Sequence, residues 1–187
     1  PAQDSGELSL ATLGRGATSP IDCPIYGYQI LEELGQGSMG VVYKARHLFS
    51  DRVMALKVLP IELATSGPYL ERFKREATAC LKLQHDNIVR AFDFGGSEDF
   101  YYLALEFIEG MTLDSRLEGG LMPPHEALCV ARDIARGLDF AAAQGVLHRD
   151  VKPENIMLAP GQVAKLCDFG IVKLMDFEGV SGNVTQA

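Results

Sequence analysis

The stretch that most constrains this 187-residue chain is 148–170, HRDVKPENIMLAPGQVAKLCDFG. It places Asp150, Lys152 and Asn155 within six residues, then sets a second acid, Asp168, just ahead of Phe169 and Gly170, with a short apolar hairpin between the two groups. Two acidic clusters are thereby joined by one tight turn. Magnesium takes oxygen ligands and sheds water reluctantly, so proteins usually hold it through one or two side-chain oxygens and leave the rest to a phosphorylated substrate. Asp168 and Asn155 can supply those oxygens. Asp150, beside the opposite charge of Lys152, can orient an attacking hydroxyl and accept its proton while the lysine steadies a phosphate. The pattern therefore suits transfer of a phosphoryl group held by magnesium.

Composition narrows the setting. With 47% hydrophobic and 22% charged residues the chain is globular and can bury a core. A net charge of -8 and a pI near 5.0 argue against a general nucleic-acid binder, whose affinity comes from clustered Lys and Arg. Cys23, Cys80, Cys129 and Cys167 form no regular framework, so reduced thiols in a cytosol-like compartment are expected, with no disulfide. The four histidines, His47, His85, His125 and His148, lack metal-ligand spacing, and zinc is not expected. No apolar run of 18 residues and no charged-then-apolar leader is seen. No membrane segment is expected in this chain and a cytoplasmic location is read, with an anchor beyond residue 187 left open.

Residues 1–25, rich in Ser, Thr, Gly, Ala and Pro, read as a flexible lead-in. Strand-like runs over 28–34 and 41–45 then flank Gly35-Gln36-Gly37-Ser38-Met39-Gly40. A helix must follow this glycine pattern in the dinucleotide-binding version, but here a β-branched run follows, so it is a glycine-rich hairpin able to close its backbone over phosphates. The next strand, 52–59, carries Lys57 on the same face as Ala55 and Leu59. A charge against an apolar face needs a partner. Helical periodicity over 69–83 puts Glu76 beside the apolar side of that helix, which makes it the natural counter-ion. Strands at 88–94 and 100–107, joined at Gly95-Gly96-Ser97, lead into Glu106-Phe107-Ile108-Glu109-Gly110. A short helix at 112–117 follows, then a long one at 123–143 that buries Leu128, Ala131, Ile134, Ala135, Leu138 and Ala142 and ends at Gly145.

The glycine hairpin, Met54-Ala55-Leu56-Lys57, Glu76, HRDVKPEN and Asp168-Phe169-Gly170, in that order, resemble the eukaryotic-like, bacterial Hanks-type Ser/Thr protein kinases from about residue 26 to residue 187. The resemblance implies an α+β, bilobal protein-kinase-like fold. Residues 26–108 would form a complete N-lobe, an antiparallel sheet plus C-helix, and the hinge; residues 109–187 would form an incomplete helical C-lobe ending in the activation loop. It implies ATP held by Leu34, Gly35, Gly37, Gly40, Val42, Ala55 and Lys57, with Glu106 and Ile108 bonding the base through their backbone, Leu105 behind it and Met157 beneath. Mg2+ would sit on Asn155 and Asp168. Asp150 and Lys152 would be catalytic, and Lys57 would pair with Glu76.

In the same family His148 is a packing residue, and Phe169, His148, Cys80 and Ala91 would form one packed column. Cys167 would lie close to the nucleotide. Protein Ser/Thr hydroxyls would be the acceptors, and Arg149 implies activation by autophosphorylation, with Thr185 the first candidate and Ser181 the second. Departures are Met54 for Val, His85-Asp86-Asn87 for H-P-N and Val151 for Leu. The A-P-E motif does not occur in the sequence, so the chain is expected to be a fragment of a longer kinase, with the stripe of the 123–143 helix left uncovered, marginal stability and poor activity on protein. A catalytically inert nucleotide-binding scaffold is the alternative. A small-molecule kinase of related fold is disfavoured by Arg149 with Lys152-Pro153-Glu154.

Overall fold

Alternating apolar runs close into an antiparallel sheet. The computed structural model describes residues 25–37, 40–60, 74, 77–97 and 100–169. In it β1 (Tyr28–Gly37), β2 (Gly40–His47), β3 (Val53–Pro60), β4 (Ala91–Gly96) and β5 (Phe100–Glu106) form one sheet in the order β1-β2-β3-β5-β4. Register decides the two faces. Tyr43 lies opposite Leu56, Ala45 opposite Met54, and Leu56 opposite Ala104, and with Ile25 and Tyr28 these make an apolar upper core. Positions one residue out of step face the other way: Val42 lies opposite Lys57, Lys57 opposite Leu103 and Ala55 opposite Leu105.

Below the sheet the chain forms β6 (Met111–Thr112), α1 (Leu113–Glu118), α2 (Pro124–Ala143), a 3-10 turn (Pro153–Asn155), β7 (Ile156–Ala159) and β8 (Val163–Leu166). The last strands make a second sheet ordered β6-β7-β8. α1 begins where the Thr112 hydroxyl accepts the Ser115 N–H at 3.1 Å. α2 opens on Pro124 and ends into Gly145, whose φ of +73° is a left-handed stop that glycine adopts freely. A lower core, with Leu83, Ile88 and Leu166 its largest fully buried side chains, joins α2 and β8 to the underside of the upper sheet. Ile88 leaves the expected strand at 88–94 to bridge Leu166 in parallel, and β4 starts only at Ala91.

The buried face of α2 is not the expected one. Val130, Asp133, Ile134, Gly137 and Ala141 are buried, whereas Leu128 is 70% exposed and Ala131, Ala135 and Ala142 also face outward. Ile134 and Leu138 pack inward as expected. The inward face carries a glycine because a Cβ at Gly137 would stand 2.8 Å from the Asn87 carbonyl, and an aspartate because Asp133 has a backbone partner in β8. Among the described part of the 69–83 helix, residues 77–80 are helical. The lead-in, Glu76, Gly170, Ser181 and Thr185 lie outside the described residues.

Candidate active site

Asp168 owes its position to the strand before it. The Asp133 carboxylate accepts the Ala164 N–H at 3.3 Å, and the Asn87 side-chain amide donates to the Ala164 carbonyl at 2.9 Å. Leu166 donates to the Asn87 carbonyl at 2.9 Å and accepts from the Val89 N–H at 2.8 Å. Cys167 donates to the Asn155 carbonyl at 3.0 Å, and His148 Nε2 donates to the Cys167 carbonyl at 2.9 Å. Backbone groups from Ala164 to Cys167 are thus held from α2, from the 87–89 segment and from the 148–155 loop. Asp168 follows with φ +56°, a conformation that few non-glycine residues adopt and that a firmly held neighbourhood must enforce.

The 148–155 loop is organised the same way. His148 is 3% exposed, and its Nδ1 accepts the Asp150 N–H at 3.3 Å. A carbonyl can only accept and an amide N–H can only donate, so the two bonds select the neutral ring protonated on Nε2. Burial lowers the His148 pKa against the pull of the Cys167 carbonyl, Asp150 and Asp168. Its ring centroid lies 4.7 Å from that of Phe169, and Phe169, Cys80 and Ala91 share the lower core. Arg149, at φ +63°, turns the chain so that Asp150 meets Asn155. The Asn155 amide donates to the Asp150 carbonyl at 2.9 Å and to its carboxylate at 3.2 Å. Lys152 Nζ stands 3.9 Å from the Asp150 carboxylate.

Lys57, 14% exposed at its side chain, forms an ion pair with Asp168. Of the described carboxylates this one answers the buried cation; Glu76 lies outside the described residues. The pair consumes one Asp168 oxygen, Oδ1, and leaves Oδ2. In Asn155 the nitrogen is used and Oδ1 is not, and since no buried side-chain oxygen in the described residues lacks a partner, that Oδ1 reaches solvent. Two side-chain oxygens are therefore open, one on each side of the bond from the Cys167 N–H to the Asn155 carbonyl, and they are of the number and type that magnesium takes from proteins.

The cleft that Asp168 lines holds about 370 Å³, and Asp150, Lys152 and Asn155 are not in its lining. Of the residues expected to bind a nucleotide, Leu34, Gly35, Val42, Ala55, Lys57, Glu106, Ile108 and Met157 line it, together with Leu105 and Cys167. Gly37 and Gly40 do not; they pair with each other at the hairpin tip. Gly40 is needed there for a backbone reason, since at its φ of +129° a Cβ would fall 2.0 Å from the Val58 carbonyl. Sequence reasoning missed Val89, Phe107, Gly110, Met111 and Thr112 in the wall. The strand that carries the last two is only two residues long, too short for a periodic signal, although Thr112 lies opposite Met157. The Glu106 N–H donates to the Arg90 carbonyl at 2.8 Å, so of its two backbone groups the carbonyl is the one to meet a base. Its carboxylate faces away from the cleft and takes Lys165 Nζ at 2.9 Å through both oxygens. Burial pushes the Cys167 thiol up to about 12, so it is protonated at neutral pH and is no nucleophile there.

Comparison with known proteins agrees with this geometry. The protein kinase domain family matches residues 28–185. A probable serine/threonine-protein kinase of Clostridium perfringens is 40% identical over 150 residues, covering 80% of this chain and 22% of that protein. The serine/threonine-protein kinase PrkC of Bacillus subtilis is 39% identical over 145 residues, covering 77% of this chain and 22% of that protein. The chain thus spans about a fifth of the length of these curated relatives. A crystal structure of the Mycobacterium tuberculosis PknI kinase domain superposes with a TM-score of 0.72 at 32% identity, over 79% of this chain and 59% of that one.

Proposed function

The chain belongs to the protein kinase domain family, and from that premise we propose that it transfers the γ-phosphoryl group of ATP, with Mg2+, to Ser/Thr hydroxyls of proteins. The observation that supports the reading is Lys57 paired with Asp168 in the wall of one cleft, while Asp150 and Asn155 bond each other in the loop whose Asn155 carbonyl takes the Cys167 N–H just ahead of Asp168. Asn155 Oδ1 and Asp168 Oδ2 are the oxygens for the divalent ion, which supplies charge neutralisation to the phosphates when bound. The rest falls to the protein. Lys57, held by Asp168, faces the phosphates from the sheet side. The apolar wall of Leu34, Val42, Ala55, Leu105 and Met157 takes the flat base and excludes water. Asp150, aimed by the Asn155 amide and the His148 ring, accepts the proton of the attacking hydroxyl as its oxygen bonds to the γ-phosphorus and the bond from that phosphorus to the bridging oxygen breaks, ADP leaving with the electron pair, and Lys152 offsets negative charge on the moving group.

The share of the relatives that is covered supports reading the chain as one part of a longer kinase. Arg149 beside the base supports autophosphorylation at Thr185 or Ser181, and the residue types in the site support protein substrates. The test is calorimetric titration with a non-hydrolysable ATP analogue, with and without Mg2+, alongside turnover of a Ser/Thr peptide. Tight binding should require Mg2+ and be lost in Asp168→Asn; turnover should be lost in Asp150→Asn with binding kept. Nucleotide binding with no turnover in the protein together with its natural continuation would instead assign a non-catalytic, nucleotide-binding scaffold.

A further inference from the structure

Behind the hinge, on the side of Glu106 away from the cleft, a second recess of about 540 Å³ opens between the start of β3, the 84–88 segment, β4 and β8. Its chemistry runs against the charge of the chain. Arg52, Arg90 and Lys165 line it against Asp86 and Glu106, in a protein of net charge -8. Lys165 and Glu106 neutralise each other at 2.9 Å. Arg52 and Arg90 are different: both guanidinium groups lie over the ring of Phe92, at 4.9 and 5.1 Å from its centroid, and neither has a carboxylate partner among the described residues. A guanidinium stacked on an aromatic face keeps its in-plane N–H groups free, and the ring fixes its orientation before any ligand arrives.

We infer that this recess is a binding site for a phosphomonoester, either free or carried on a peptide. Arg52, Arg90 and Lys165 against Asp86 and Glu106 leave the recess one positive charge in excess, and two planar guanidinium forks suit the several oxygens of a phosphomonoester, where a carboxylate offers only two. Phe107 and Ile88 give the body of the ligand an apolar wall, and the volume falls in the range of small-ligand sites, about 300–1,000 Å³. Glu106 and Phe107 also line the nucleotide cleft, so an occupant here touches the two residues that form the cleft's back wall at the hinge.

The experiment titrates the purified chain with phenyl phosphate, a phosphothreonine peptide and benzoate, following binding by calorimetry and by amide shifts at residues 90–92 and 106–107. Saturable binding of a phosphate probe is expected, weakened about tenfold or more by Arg52→Ala and by Arg90→Ala. Phe92→Leu, which keeps both charges but removes the platform, should weaken it as well, with unchanged melting showing that the variant is folded. Lys57→Met, which removes the cleft's own phosphate-facing cation, should leave it unchanged. Equal affinity for both phosphate probes supports a free phosphomonoester, and preference for the peptide supports a carried one. Failure to saturate, benzoate binding as tightly as phenyl phosphate, insensitivity to both arginine variants, or loss with Lys57→Met each overturns the assignment.

Discussion

The two cores of this molecule are built from different materials. The upper core, between β1, β2, β3 and β5, is apolar and aromatic, and the register of β2, β3 and β5 follows from simple alternation along the strands. The lower core contains all four of the buried polar residues described, Asn87, Asp133, His148 and Asn155, and each bonds a backbone group of β8 or of the 148–155 loop. Apolar packing is tolerant of small shifts, whereas a hydrogen bond fails within a fraction of an ångström. The layer that must place Asp150 and Asp168 is the one fastened by directional bonds. Stability belongs to both layers, and the placing of Asp150 and Asp168 to one.

If that division holds, the largest effect comes from a change that touches chemistry alone. Asp150→Asn should reduce peptide phosphorylation by about 10²–10⁴-fold, the usual contribution of a positioned base, with little change in melting temperature. A stability loss of comparable weight would show that the carboxylate is structural. Next come the paired truncations Leu56→Ala and Leu166→Ala, both fully buried, one in each core. Each should cost about 2–5 kcal/mol in urea denaturation. At a temperature where both variants remain folded, only Leu166→Ala should lower turnover, because Leu166 ends the strand that leads into Asp168. Equal losses would break the comparison.

A smaller test uses polar groups. Asn87→Ala strands the Ala164 carbonyl in the lower core, for about 1–3 kcal/mol. Asp93→Ala in the upper layer frees the hydroxyls of Tyr28 and Tyr102, bonded to it at 3.4 and 3.1 Å, but Asp93 is exposed and those groups can turn to water. It should cost less than Asn87→Ala in the same denaturation series. The reverse order would mean that the lower layer is not the more constrained one.

What could be read in the sequence follows the same line. Alternation located the five upper strands to within a few residues, and Asp168 of the 148–170 stretch lines the cleft, because in both cases the signal lies within a short window. The face of α2 was misread because Asp133 and Gly137 look like surface residues until Ala164 and the Asn87 carbonyl are brought against them from other elements. The expectation for Glu106 concerns its backbone alone, and nothing local shows that its carboxylate answers Lys165, 59 residues away. Directional bonds between distant segments leave no periodic trace.

The smallest effects should separate the two layers by pH. In the lower core His148 is buried and neutral, its pKa below the ordinary value through loss of solvation. The unfolded chain takes up a proton near pH 6.5 where the folded one does not, so stability is intact above that pH and falls as pH drops toward the folded pKa. In the upper layer burial and the Asp93 carboxylate raise the tyrosine pKa values, that of Tyr102 to about 12 and that of Tyr28 higher still. There the unfolded chain loses protons first, so stability is intact below about pH 10 and declines above it. Each group can change stability by at most about 1.4 kcal/mol per pH unit, and the partly solvated tyrosines by less. Urea midpoints measured from pH 5 to pH 11 should therefore show an acid decline that His148→Gln flattens and an alkaline decline that Tyr102→Phe flattens, with neither variant changing the other limb. A single variant that flattened both limbs would mean that the two cores titrate as one unit, and the difference between them would then lie in composition and not in how each is held.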